Sequence, residues 1–164
     1  MTLHILPTGT VRATVSHRFT EATLASVAQQ VTRIGPGLAR AHYAFRDLSC
    51  QTTASGEFRV TMTMQLRMEM PQWPGKTRRP TAEQQEWERF LRALRHHEDG
   101  HHTICRREAR NLYRKLLASS SGTFQSVFDR EFARIERLHR EYDHRTDHGV
   151  RQRGPHGNTV IQVP

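Results

Sequence analysis

The sequence lacks any long hydrophobic run. None of its 164 residues belongs to an apolar stretch of about 18, the length that a membrane-spanning helix needs. Only 35% of the residues are hydrophobic. The first twenty residues also lack a basic start followed by an apolar segment, so no secretory signal peptide is expected. The length fits one domain whose core is large enough to fold without metal or disulfide crosslinks.

Cysteine and lysine are both scarce. The two cysteines, Cys50 and Cys105, form no Cys-x-x-Cys pair, which excludes a cysteine-rich zinc site and leaves either one disulfide or two free thiols. Only 2 of the 25 basic residues are lysines, so 23 are arginines, and the formal net charge is +9. Arginine suits phosphate and carboxylate binding. The basic residues are spread along the chain, however, which favours solvated helix faces over a polyanion site.

Hydrophobic periodicity predicts strands in the first half of the chain and long helices in the second. The predicted elements are strands at 10–18, 42–50 and 57–70, and helices at 21–33, 81–118 and 123–140. This order indicates an α+β fold with a small mixed or antiparallel sheet, an N-terminal helix, a long helix and a C-terminal helix. Residues 1–148 are predicted to form the domain, and residues 149–164 an irregular tail.

The long predicted helix carries a histidine-rich segment where its apolar stripe is interrupted. His97 and His101 are four residues apart, so both imidazoles lie on the face that packs against the sheet and can bind one ion. Glu98 lies at the edge of that face. This His-Glu-x-x-His pattern predicts a zinc site in which the histidines hold the metal and Glu98 accepts a proton from the attacking water. Gly100 indicates that another part of the backbone approaches closely, because glycine costs about 1 kcal/mol relative to alanine inside a helix.

A catalytic zinc site needs a third protein ligand and one open position. The segment after the last predicted helix offers the candidates. His148 is the preferred ligand, since a turn after the helix can bring its imidazole over the first two ligands. Asp143 would either orient a ligating histidine or be the ligand itself. Tyr142 would donate a hydrogen bond to the oxyanion of the tetrahedral intermediate, or be an ordinary aromatic residue of the last helical turn.

Taken in their order along the chain, these features resemble a bacterial domain family of unknown function that is described as predicted secreted zinc-dependent proteases. The resemblance covers about residues 3–152 and is most specific in two segments, His-Glu-Asp-Gly-His at 97–101 and Tyr-Asp-His-Arg-Thr-Asp-His-Gly at 142–149. It implies a compact zincin-like metallopeptidase fold and supports His148 as a zinc ligand. It also implies an extracytoplasmic location, although the sequence shows no signal peptide.

The sequence therefore predicts a zinc-dependent metallopeptidase of an exported or effector type, acting on a peptide or protein substrate. Its metal ligands would be His97, His101 and His148, with Glu98 as the general base. An extended substrate would add as an extra strand along the strand predicted at 57–70, which favours an endopeptidase. The basic surface would favour acidic substrates or an anionic envelope.

Two alternatives belong to other functional classes. An arginine-rich nucleic-acid-binding module would bind DNA or RNA in a strongly salt-dependent way, but no recognised nucleic-acid motif supports it. A zinc-binding pseudoenzyme would keep the metal and lack turnover. The presence of Glu98 argues against the pseudoenzyme.

Overall fold

A computed structural model of the chain describes residues 2–5 and 13–163. Its strands and helices in chain order are β1 Thr2–Ile5, β2 Ala13–Arg18, α1 Leu24–Ile34, β3 Arg40–Thr52, β4 Phe58–Gln72, α2 Thr81–Leu117 and α3 Phe124–Thr146. Short 3-10 segments follow α1 and β4, at Gly35–Gly37 and Pro74–Arg78. The predicted mixed α+β class is confirmed. Residues 10–12 of the first predicted strand lie outside the described residues.

Strand β4 is the centre of the sheet. β3 pairs with it antiparallel along most of its length, while β1 and β2 pair with it in parallel at 61–64 and 68–72. Because β3 occupies one edge of β4, β1 and β2 follow one another along the other edge, and the mixed sheet is three strands wide. Within residues 2–5 and 13–163, β3 pairs only with β4, so its outer edge is free.

One face of β4 is buried over its length, as its alternating sequence predicts. The buried side chains, each at most 8% exposed, are Val60, Met62, Met64, Leu66, Met68 and Met70. Helix α2 covers this face of β4. Helix α3 covers the adjoining face of β3, where the rings of Tyr43 and Phe45 lie 6.3 and 6.1 Å from the ring of Phe132. The flexible methionine side chains suit a strand that packs against a long helix.

The apolar stripe of α2 contributes to two separate hydrophobic cores. Phe90 and Leu94 pack with α1 and the end of β4, whereas Cys105 and Leu112 pack with the first half of β4 and with α3. The segment 97–101 lies between these cores and carries buried polar side chains. The interruption that the sequence shows in the stripe is therefore a gap between two cores, and polar groups occupy it.

The C-terminal helix is longer than the sequence predicts. It ends at Thr146 rather than at residue 140, because Asp147 adopts a left-handed conformation with φ 50° and closes the helix. Tyr142 and Asp143 consequently belong to the last turns of α3 and not to a loop after it. The N-terminal helix also differs, since α1 begins at Leu24 and not at residue 21.

Residues 147–163, the described part of the segment after α3, contain no helix or strand but pack along α2. The guanidinium group of Arg89 donates hydrogen bonds to the carbonyl oxygens of His156 and Asn158 at 3.0 and 2.9 Å, and to that of Val160. Ile161 is buried in the core beside α1. Gln152 donates a hydrogen bond to the carbonyl oxygen of Ala93, and the backbone N–H of Gln162 donates one to Glu86. These hydrogen bonds, those of Arg89 and one apolar anchor hold the tail against α2.

Cys50 on β3 and Cys105 on α2 are both free thiols. The sequence left open one disulfide or two free thiols, and the structure has two free thiols. A search of the described helices finds none with the length and apolar character needed to cross a membrane.

A buried network of acidic and basic groups joins α2 to α3. Glu108 on α2 and Glu131 on α3 are 3% and 4% exposed, and both contact the guanidinium group of Arg134. Lys115 lies 2.7 Å from Glu131. Burial alone would raise the pKa of each carboxyl group. For Glu108, a hydrogen bond from Asn111 and the hydrogen bonds and charges of the basic groups outweigh burial and lower the pKa. For Glu131, the basic groups alone do so.

We expect Arg134→Met to destabilise the protein by about 2–3 kcal/mol at neutral pH, because two buried carboxylates lose their shared cation. The folded-state pKa values of both glutamates lie below their ordinary values. Their contribution is therefore present at neutral pH and is lost as the pH falls through the folded-state pKa. Urea unfolding at pH 7 and at about pH 3 measures the change, and the difference between variant and wild type should shrink at the lower pH.

A matched control for this prediction is Arg137→Met, since Arg137 pairs with Glu141 where both side chains are well exposed. This substitution should change the free energy of unfolding by less than about 1 kcal/mol. An Arg134→Met penalty of equal size at both pH values would contradict the electrostatic origin of the effect.

Candidate metal centre

Three side chains that can bind a metal converge where α2 meets α3. The Nε2 atoms of His97 and His101 lie 3.2 and 2.9 Å from the same oxygen, Oδ1 of Asp143. Each residue offers one ligand atom, and the three atoms all lie within 4.8 Å of one another. Two imidazole nitrogens and one carboxylate oxygen form a donor set that suits zinc. The residues present therefore fit the ion that the sequence predicts.

The electrostatic environment keeps the two histidines neutral. Burial lowers the pKa of His97 and of His101, and the nearby carboxylate of Asp143 opposes this effect without overcoming it. Neutral imidazole is the form that binds a metal ion. The centre can thus accept a cation without first releasing protons from its histidines.

The second ring nitrogen of each histidine has a partner on α3. Nδ1 of His101 lies 2.8 Å from Nδ1 of His139, and Nδ1 of His97 lies 3.5 Å from Oγ1 of Thr146. When His101 donates its Nδ1 proton to His139, the Nε2 lone pair faces Asp143, which is the orientation that a metal ligand requires. Helix α3 therefore supplies one candidate ligand and orients both histidines of α2.

His139 is a site residue that the sequence analysis missed. It is 9% exposed, its Nε2 lies 3.3 Å from Sγ of Cys105, and burial lowers its pKa to about 4. It lies four residues before Asp143 and so on the same helical face. That spacing could have identified His139, but only if the last helix had been extended past residue 140.

His148, the preferred third ligand from the sequence, lies at the rim of the centre. Its Nδ1 is 3.5 Å from Oδ1 of Asp143, its side chain is 46% exposed, and it is not among the three converging residues. The longer helix explains the difference. Asp143 projects from a helical turn towards α2, whereas His148 follows the left-handed residue Asp147. Of the two alternatives for the third ligand, the geometry brings Asp143 to the histidine pair.

Glu98 lies beside the three candidate ligands. Its Oε2 accepts a hydrogen bond from the backbone N–H of Ala41 on β3, at 2.7 Å. Burial raises the pKa of Glu98 to about 7, although the hydrogen bond from Ala41 acts in the opposite direction. The edge strand thus holds one carboxylate oxygen, and the other can accept a proton.

Tyr142 contacts the backbone of α2 and does not line the cleft beside the centre. Its ring stacks on His97, with centroids 5.0 Å apart and planes 15° apart, and its hydroxyl donates to the carbonyl oxygen of His97 at 3.3 Å. Gly100 provides the space, because a Cβ atom there would lie 2.1 Å from the hydroxyl oxygen. The close approach predicted at Gly100 is made by this side chain and not by backbone.

We expect Gly100→Ala to destabilise the protein by about 1–3 kcal/mol through this overlap, although helix propensity alone favours alanine by about 1 kcal/mol. In a Tyr142→Ala background the same substitution should instead be stabilising. Urea unfolding of the four proteins in this cycle measures both effects. Stabilisation by Gly100→Ala in the otherwise unchanged chain would show that the tyrosine does not contact residue 100 in solution.

The candidate ligands line one side of a cleft of about 760 Å³. Its walls come from α1, the Gly35–Gly37 turn, the start of β3, α2, the end of α3 and the tail. The prediction that the strand at 57–70 borders the cleft and takes the substrate as an extra strand is wrong, because no residue of β4 lines the cleft and its two edges pair with β3 and with β1 and β2. Residues 40–43 of the edge strand β3 border the cleft instead.

Comparison with known proteins assigns the chain to a family. Residues 14–149 match the model of a family described as bacterial protein of unknown function (DUF922). The matched region includes every candidate ligand and both segments that carried the resemblance. No curated protein and no solved structure matches the chain, so the zincin-like architecture stays a prediction. The chain therefore belongs to the DUF922 family of bacterial proteins of unknown function.

Proposed function

We propose that this protein is a zinc-dependent endopeptidase. The observation that carries the proposal is the convergence of His97, His101 and Asp143 in a cleft, with the carboxylate of Glu98 held beside them by Ala41. Hydrolytic zinc sites combine three protein ligands with one open position and a neighbouring proton acceptor. The arrangement supplies the three ligands and the acceptor, and the cleft gives a substrate access to them.

In this proposal His97, His101 and Asp143 hold the zinc ion. When bound, zinc lowers the pKa of a coordinated water to about 7 and polarises a carbonyl group. Oε1 of Glu98 accepts a proton from the attacking water, while Oε2 keeps its hydrogen bond from the N–H of Ala41. The same carboxyl group then passes this proton to the amine that leaves as the peptide C–N bond breaks.

The free edge of β3 favours the proposal that the substrate is a peptide. The N–H of Ala41 points away from β4, towards Glu98. Backbone groups alternate in direction along an antiparallel strand, so the N–H and C=O of Tyr43 also face the free edge. An extended peptide that pairs there lies next to Glu98. β3 continues past the cleft as far as a register irregularity between Arg46 and Ser49, so a peptide chain can extend past the cleft. We therefore favour an endopeptidase over an exopeptidase.

The test is the metal content of protein purified without a histidine tag, measured by mass spectrometry. We expect about one zinc ion per chain and none in the His97→Ala/His101→Ala variant. Hydrolysis of an unfolded protein substrate should stop after chelation and return when zinc is added.

A matched control removes two exposed histidines, as His96→Ala/His144→Ala, and should keep both the zinc and the activity. Wild-type protein that takes up no zinc even after the metal is added back would overturn the proposal. In that case the arginine-rich surface and nucleic-acid binding would become the leading hypothesis. We also propose an extracytoplasmic location, for which the support is the family resemblance of the two segments at 97–101 and 142–149.

A further inference from the structure

Part of the lining of the cleft is apolar, and we call this part the apolar pocket. The residues that define this pocket are Ala28, Val31, Leu38, Phe90, Leu94 and Ile161. Leu94 precedes His97 by about one turn of α2, and Phe90 by about two, so the pocket adjoins the metal centre directly. Four separate parts of the fold, α1, the turn before β3, α2 and the tail, supply its walls. A side chain next to a peptide bond at the metal centre would therefore have an apolar surface within reach.

Small residues of α1 keep this pocket accessible. Ala28 and Val31 are only partly buried and face the cleft, whereas Leu24 and Val27 of the same helix are buried in the core. The residues of α1 that line the cleft are Ala28, Val31 and Thr32, and none of them is longer than valine. A cleft of about 760 Å³ is within the range of volumes of ligand-binding sites. Its apolar walls favour apolar side chains, because removing apolar surface from water is favourable.

The charges that line the cleft are opposite in sign to the charge of the whole chain. The acidic groups are Glu98, Glu136, Asp143 and Asp147, and among the described lining residues the only lysine or arginine is Arg40. The formal net charge of +9 therefore belongs mainly to other surfaces. The expectation from composition, that the protein favours acidic substrates, does not extend to the cleft. Glu98 and Asp143 would lie beside a bound zinc ion, whose positive charge would offset theirs. An acidic side chain away from the ion would meet Glu136, Asp147 and an apolar wall.

We infer that the protein selects peptide segments with a bulky apolar side chain next to the cleaved bond and discriminates against acidic residues there. This inference deepens the proposed function and rests on it for the cleavage step. The apolar pocket supplies the attraction for leucine, isoleucine, methionine or phenylalanine. The apolar walls and the carboxylates of Glu136 and Asp147 supply the discrimination against aspartate and glutamate.

The first experiment digests a mixture of peptides of varied sequence with the zinc-loaded full chain and identifies the products by mass spectrometry. We expect large apolar residues to be enriched, and acidic residues depleted, at one position adjoining the cleaved bond. Ala28→Phe fills the pocket. It should lower kcat/KM for a leucine-containing peptide by at least about tenfold, while changing it less than about threefold for the alanine-containing counterpart.

Two further variants show whether an effect of Ala28→Phe comes from filling the pocket or from a change in folding. Thr32→Phe also places a ring in the cleft, but from an exposed position, and should shift the preference in the same direction. Gln29→Phe adds the same ring at an exposed residue of α1 that does not line the cleft, and it should leave both kcat/KM values within about twofold, as expected for a surface substitution. A preference that changes equally in all three variants, or in none, would overturn the inference.

A binding measurement separates this inference from the proposed function. Fluorescence polarisation of labelled peptides with a central Leu-Leu, Ala-Ala or Asp-Asp pair is measured on the Glu98→Gln variant. The Leu-Leu peptide should bind at least about tenfold more tightly than the Asp-Asp peptide, and Ala28→Phe should abolish the difference. If the Leu-Leu peptide is preferred in binding but wild-type protein cleaves no peptide, the endopeptidase proposal is wrong and the inferred apolar preference is supported. Cleavage that depends on Glu98 but shows no apolar preference would overturn the pocket alone.

Discussion

Replacing Glu98 with glutamine is expected to abolish peptide hydrolysis and to leave the zinc ion in place. Glutamine has nearly the same shape, and its side-chain oxygen can still accept the hydrogen bond from Ala41. The amide cannot accept the proton of the attacking water. Loss of a general base lowers rates by about 10²–10⁴-fold, so kcat should fall by that factor. Zinc content by mass spectrometry and hydrolysis of a quenched fluorescent peptide measure the two properties on the same sample.

The neighbouring residue provides a control for this substitution. Asp99 is exposed on the other side of α2, so Asp99→Asn also removes one negative charge but should leave both zinc content and hydrolysis unchanged. The comparison also separates an enzyme from a pseudoenzyme, because a pseudoenzyme has no hydrolysis to lose. Full activity in Glu98→Gln would exclude Glu98 as the proton acceptor, and loss of zinc would show that its carboxylate binds the metal.

Asp143 and His148 are expected to differ sharply in their effect on zinc affinity. Asp143→Ala removes a candidate ligand, and we expect the zinc affinity to fall by more than about 100-fold, beyond the range typical of groups that only orient a ligand. His148→Ala should lower the affinity by less than about tenfold, because His148 lies at the rim and contacts Asp143 rather than the histidine pair. Competition with a chelator of known affinity gives both dissociation constants.

The reverse result would assign the ligands differently. If His148→Ala loses the metal and Asp143→Ala keeps it, His148 is the third ligand and Asp143 orients it, as the sequence alone favoured. Asp143→Asn refines the outcome, since it keeps an oxygen at the same place without the charge. A partial loss in Asp143→Asn, between the wild type and Asp143→Ala, is the result expected for a ligand.

The C-terminal helix supplies half of the centre through one stripe of residues. His139, Tyr142, Asp143 and Thr146 follow the spacing i, i+3, i+4 and i+7, which places them on one helical face. His139 and Asp143 contact His101 through a ring nitrogen and a carboxylate oxygen. Tyr142 stacks on His97, and the hydroxyl of Thr146 lies next to the same ring. This stripe gives a physical reason for the Tyr-Asp-x-x-Thr pattern that carried the family resemblance.

The sequence by itself determined the features that depend on local periodicity. Strict alternation along β4 predicted a strand with one buried face, because side chains of a strand alternate between its two sides. The apolar stripe predicted α2 nearly to its last residue. The spacing of His97 and His101 placed both imidazoles on one face of that helix, since four residues make about one turn. These results need no knowledge of what packs against each element.

The tertiary structure alone decided which groups complete the centre. The end of α3 depends on a left-handed conformation at Asp147, a non-glycine residue for which local sequence gives only a weak signal. That helix end determines that Asp143, and not His148, reaches the histidine pair, and it brings His139 to His101. The free edge beside Glu98 likewise belongs to β3 and not to β4, because strand order follows from long-range pairing. Contacts between segments distant in the sequence fix these features, so periodicity within one segment could not reveal them.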